Sequence, residues 1–111
     1  MGSVARTPQI RGTNVAASGT ATLTWVATGV MGILAINNLG PGKVALSLGA
    51  SAPANTTPAT DVLVLASGDK VTFDNIELDQ VVSLRADATV GGADVSAYAQ
   101  PYPESGQGGF G

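Results

Sequence analysis

Hydrophobic and polar residues alternate in short runs along most of this chain. Leu23 and Trp25 fall on one face of Ala21–Val26, with Thr22 and Thr24 on the other. Leu34 and Ile36 share a face in Ile33–Asn38, as do Val44, Leu46 and Leu48 in Lys43–Leu48. Asp61–Leu65, Lys70–Phe73 (Val71 with Phe73), Val81–Ala86 (Val82 with Leu84) and Ala93–Tyr98 follow the same period of two. That period is the mark of half-buried strands. Breakers separate the runs. Thr28, Gly29 and Gly32 predict a turn, and Asn37-Asn38-Leu39-Gly40-Pro41-Gly42 predicts a loop. Gly49–Thr60 reads as a long loop of small residues. Ser67-Gly68-Asp69 and Gly91-Gly92 read as tight turns. Asn75–Val82 is open to two readings, a link or a single helical turn carrying Ile76, Leu78 and Val82.

The chain is therefore expected to be all-β: a small antiparallel β-sandwich or jelly-roll-like barrel of about seven to eight strands. Its 12 valines and 11 threonines favour strands by β-branching. The expected organisation is an extended N-terminal arm over 1–20, a sandwich domain over 21–99 and a Gly/Pro-rich tail over 100–111. The arm is polar and broken by Pro8 and Gly12, with a short strand possible near Gln9–Val15. The tail, QPYPESGQGGFG, cannot offset the entropy of ordering by itself. Its isolated aromatics, Tyr102 and Phe110, suggest an arm that orders on a partner.

Composition narrows the function. The 111 residues suit one domain. With no histidine and no cysteine, the chain can build neither a disulfide, nor a thiolate metal site, nor a Ser-His or Cys-His nucleophile pair. No enzyme activity, catalytic residue or cofactor is expected. A net charge of −3 with five scattered basic residues gives no phosphate-binding patch, so nucleic acid is not an expected partner. The longest apolar run, Val30–Ile36, is too short for a bilayer and no membrane partner is expected. No apolar signal segment follows the N-terminus, and Arg6 stands where a myristoylation motif has Ser or Thr, so synthesis in the cytoplasm is expected. Charged residues make up only 12% of the chain, which suits a surface that packs on other subunits.

Each remaining candidate has a plain reading beside the chemical one. Asp74, Glu77 and Asp79 lie close enough to suggest a cation, yet lack the spacing and glycine of a calcium loop, and are taken as solvated carboxylates. Asp69 and Lys70 read as a turn residue and an edge charge. Asn55-Thr56-Thr57 matches a glycosylation acceptor without a secretory signal. Gly40-Pro41-Gly42 lacks the lysine of a phosphate loop. Arg85 should point away from Leu84 to the outside, and Trp25 should anchor the core.

Taken together, AINNLGPGKVALSLG from Ala35, DVLVLASGDKVTF from Asp61 and VVSLRADATVGGADVSAYA from Val81 resemble small virion proteins of tailed bacteriophages. Asn37 and Asn38, Leu65–Asp69, Leu84–Ala86 and Gly91–Val95 carry the likeness, which spans about two thirds of the chain. It implies a capsid decoration or cement subunit on the virion surface, a homo-oligomer with the trimer favoured, whose partner is the major capsid protein or another virion subunit. A tail, neck or fibre-base subunit and a carbohydrate-binding module are the alternatives.

Overall fold

A computed structural model describes residues 8–25, 31–78 and 81–102. They form eight strands: β1 (Gln9–Val15), β2 (Thr20–Leu23), β3 (Met31–Pro41), β4 (Val44–Leu48), β5 (Leu63–Leu65), β6 (Lys70–Glu77), β7 (Val82–Ala86) and β8 (Ala93–Pro101). Two four-stranded sheets, ordered β1-β8-β3-β6 and β2-β7-β4-β5, pair in antiparallel fashion throughout. First pairs with last, second with seventh, third with sixth and fourth with fifth. This is one long hairpin folded over on itself, the strand nesting of a jelly roll.

The period of two explains why the sheets face each other. Leu34 and Ile36 from β3, with Val95, Ala97 and Ala99 from β8, line the inner face of the first sheet. Val44 and Leu46 from β4, with Val82, Leu84 and Ala86 from β7, line that of the second. Leu23, Leu65, Leu78 and Trp25 close the same cluster. Trp25 is a core residue, as the sequence predicts. Its indole Nε1 is buried without a hydrogen-bond partner among the described residues.

Three expectations need correction. The breaker cluster at residues 37–42 does not leave the sheet: β3 runs through it to Pro41, paired with Ala93 of β8. A bulge between Asn38 and Gly40 absorbs the turn-forming residues. Gly40 takes a φ of 84°, and a side chain there would collide with Ser67. Secondly, Asn75–Val82 begins as strand. β6 continues to Glu77 past a bulge opposite Ile33, where Asn75 takes a φ of 56°. The bulge shifts the inward phase from Val71 and Phe73 to Ile76. Thirdly, the short strand at Gln9–Val15 is present, but it belongs to the first sheet rather than to a separate arm, in register with Ala93–Ala99, and β8 reaches Pro101. The sandwich thus takes in residues beyond the 21–99 limits on both sides. Thr28 and Gly29 lie outside the described residues, while Gly32 belongs to β3.

At Gly91-Gly92 the predicted tight turn is present, both residues having positive φ. A Cβ on Gly92 would sit 2.0 Å from the Val15 carbonyl oxygen.

Candidate interaction surfaces

The outer faces of the two sheets differ. On the second sheet the outward residues are Ala45 and Ser47 of β4 and Ser83 and Arg85 of β7. Ala45 and Ser83 are nonetheless fully buried. The loop after β4 folds back over them. Ser83 Oγ donates to the Gly49 carbonyl at 2.6 Å, Ser47 Oγ to that of Ser51 at 2.7 Å and Arg85 Nε to that of Pro53 at 2.5 Å. Arg85 also donates to the Ser18 carbonyl at 3.3 Å. Arg85 does leave the core opposite Leu84, but its charge is spent on main-chain carbonyls of its own chain. Asn55 is engaged in the same loop, its side chain accepting from the Thr57 N–H at 2.9 Å.

The first sheet has no such cover among the described residues. Its register sets Ile10, Tyr98, Ala35 and Thr72 in one outward row, and Gly12, Ser96, Asn37 and Lys70 in the next. Ile10 is 69% exposed and Tyr98 37%. Among the described residues its charge lies near the margins, at Asp94 of β8 and at Lys70 and Asp74 of β6. The result is a weakly polar face on which Ile10 and Tyr98 are exposed, with Met31 and Leu39 of β3 exposed as well.

A third surface lies where β5 and β6, the last strands of their sheets, leave the sandwich open. β5 has only three residues, too few to cover the inward side chains of β6. Phe73 stays half-buried and, with Leu46, Leu48, Val62 and Leu63, lines an open groove of about 440 Å³. Asp61 is the single ionisable group lining it among the described residues.

Of the three carboxylates weighed for a cation, Asp74 and Glu77 are described, both exposed on β6. Asp74 accepts a hydrogen bond from the Tyr102 hydroxyl, which itself accepts from the Asn75 N–H at 2.9 Å. That contact holds the Tyr102 phenol above the ordinary tyrosine value, chiefly because only the neutral phenol can donate the hydrogen bond to the Asp74 carboxylate. Asp79 lies outside the described residues, and among those described no group of three candidate ligands comes together. Tyr102, expected in a tail that orders on a partner, is instead tied to its own domain, its N–H bonded to the Met31 carbonyl at 2.9 Å. Phe110 lies outside the described residues. Asp69 caps its turn, a side-chain oxygen accepting from the Ala66 N–H at 3.1 Å. Asp87 does the same for Thr89, whose hydrogen bonds lower the Asp87 pKa.

Sequence reading missed one polar residue of structural weight. Asn38 is fully buried. Its Nδ2 donates to the carbonyls of Gly42 and Leu65, each at 2.9 Å, and its Oδ1 accepts from the Gly40 N–H at 2.8 Å. Its main chain exchanges hydrogen bonds with Asp69 and Gly68. One side chain thus joins the β3 bulge, the link to β4 and the end of β5. Its two-residue spacing from Leu34 and Ile36 already sets it on the inner face.

No protein-family model matches the chain, and no curated protein does. One solved structure is similar, a chain from Bacillus endospore appendages, described as a novel family of disulfide-linked pili. The match has a TM-score of 0.40 at 17% identity, over 91% of this chain and 94% of that one. So distant a likeness carries nothing about function.

Proposed function

We propose that this chain is a non-catalytic structural subunit that acts by binding other protein subunits, as a capsid decoration or cement protein on a virion. The contrast between the two outer faces carries this reading. One face is closed by the chain's own loop, while the other is left weakly charged and set with Ile10 and Tyr98. Surfaces poor in charge and bearing aromatic side chains suit subunit contacts. The absence of histidine and cysteine from the sequence removes the usual acid-base and nucleophilic pairs. The virion setting itself rests on the resemblance carried by Asn37, Asn38, Leu65–Asp69, Leu84–Ala86 and Gly91–Val95, as does a trimer.

In this reading the sandwich supplies contacts between copies, and the flanking segments reach the shell. Because Gln9–Val15 is a strand, the segments to delete are 1–8 and 103–111. Each truncated protein is incubated with empty shells and pelleted. Weakened binding with an unchanged fold is the expected result. Binding equal to that of the full chain by both would end the flanking-segment mechanism. Absence of the chain from purified particles by mass spectrometry would end the virion reading. A tail, neck or fibre-base role is told apart by copy number per particle. For a carbohydrate-binding module, the burial of Trp25 in the core counts against the one tryptophan as a sugar platform.

A further inference from the structure

We infer that β6 pairs with β6 of a second copy across a two-fold axis. β6 is the last strand of its sheet among the described residues. The hydrogen bond from the Asn38 N–H to the Asp69 carbonyl, with the register Ile36 to Val71 and Leu34 to Phe73, sets the phase of its ladder. In an antiparallel pair, alternate residues bond to the partner strand. Asp69, Val71 and Phe73 therefore face β3, and Lys70 and Thr72 turn their N–H and C=O groups to the open side. Asp74 follows in the same alternation just before the bulge. All three are exposed.

That open edge is complementary to itself. Rotation about Thr72 sets it against its own copy and brings Lys70 opposite Asp74 of the second chain, twice. The hydrogen-bonding phase and the charges are satisfied by the same register. On the inner side Val71 meets Phe73 of the other copy, beside the groove where Leu48 and Leu63 remain 39% and 38% exposed. The plainer explanation is that Lys70 and Asp74 are charges that keep an open edge from pairing at all. Those two explanations part on sign: a guard works with either charge, whereas pairing requires opposite charges two residues either side of Thr72. A two-fold contact closes with two copies, so the trimer implied by the resemblance would need another surface. The pairing rests on the homo-oligomer reading but not on the virion: shell binding can fail while the dimer persists, and the reverse.

Charge exchange read by sedimentation velocity over a concentration series tests it. The native chain should sediment as a dimer at high concentration. Lys70→Asp and Asp74→Lys alone each place like charges opposite one another twice, and should raise the dissociation constant by at least about tenfold. An equimolar mixture of the two single variants should restore a dimer, as should the double variant. Tyr102→Phe controls for the lost Tyr102 contact in Asp74→Lys and should dimerise like the native chain. In the native chain the amides of Lys70 and Thr72 should exchange more slowly as concentration rises, a measurement that needs no variant to fold. A native chain that is monomeric or trimeric throughout, single variants that dimerise unchanged, folded single variants that do not recover on mixing, or edge amides indifferent to concentration would each overturn the proposal.

Discussion

Replacing Asn38 with alanine should remove a large share of the domain's stability. Truncation strips the hydrogen-bond partner from the carbonyls of Gly42 and Leu65 and from the N–H of Gly40, and all three residues are buried. A buried main-chain group left without a partner costs about 1–3 kcal/mol. Some water entry into the vacated space puts the sum at the low end, roughly 3–5 kcal/mol. A domain of this size has about 5–15 kcal/mol in total. The melting temperature should fall by roughly 12–20 °C, at about 4 °C per kcal/mol. Urea unfolding followed by the fluorescence of Trp25, the one tryptophan, gives the free energy directly. The slope against urea should hold while the midpoint falls by about 2 M. Asn38→Asp should be worse, because it sets a carboxylate oxygen against two carbonyls. Asn37→Ala, on the outward face one residue earlier, should change stability by less than about 0.5 kcal/mol. An Asn38→Ala protein within about 1 kcal/mol of the native chain would refute the staple reading.

Other consequences follow from the same contacts. Gly92→Ala, which forces a Cβ against the Val15 carbonyl at a φ of 66°, should cost more than the roughly 1 kcal/mol of a strained φ alone, read as a drop in urea midpoint. Arg85→Ala frees the Pro53 carbonyl and should make the loop over the second sheet a site of faster limited proteolysis, with the core strands still protected in hydrogen exchange. The raised pKa of Tyr102 means that the folded state favours the neutral phenol. Its contribution is therefore complete below the ordinary value of 10.0 and is lost as pH rises through the higher folded value. In an alkaline absorbance titration the Tyr102 phenolate should form above 10.0, and Asp74→Asn should bring it down; no change in that variant would rule out the carboxylate as the cause.

Much of the sandwich is legible as a period of two, because Leu23, Val44, Leu46, Val82 and Leu84 each sit on a face that meets the opposite sheet. The period fails where the backbone breaks its own alternation. The bulge at Asn75 breaks the alternation between Phe73 and Ile76, so that Ile76, Leu78 and Val82 no longer read as continuing a strand. The bulge at Asn38 hides a continuous strand behind residues that ordinarily make turns. β1 is legible as a short strand at Gln9–Val15 but not as part of the sandwich, because its inward positions Gln9, Arg11 and Thr13 lie at the half-exposed margin and only Val15 reaches the core. The partners of Arg85 could not be read from the sequence at all, since main-chain carbonyls have no residue type. Nor could the difference between the two outer faces, which depends on where a loop of small residues comes to rest.

The nested pairing of first strand with last also decides where the chain's ends emerge. Gln9 stands beside Ala99, and Pro101 beside Gly32, so residues 8 and 102 leave the sandwich at one pole. The links β1–β2, β3–β4, β5–β6 and β7–β8, with the Asn38 staple, occupy the other. The domain is thus polarised like a plug. Whatever precedes residue 8 and whatever follows residue 102 start from the same end, and a label joined to either would report on one place.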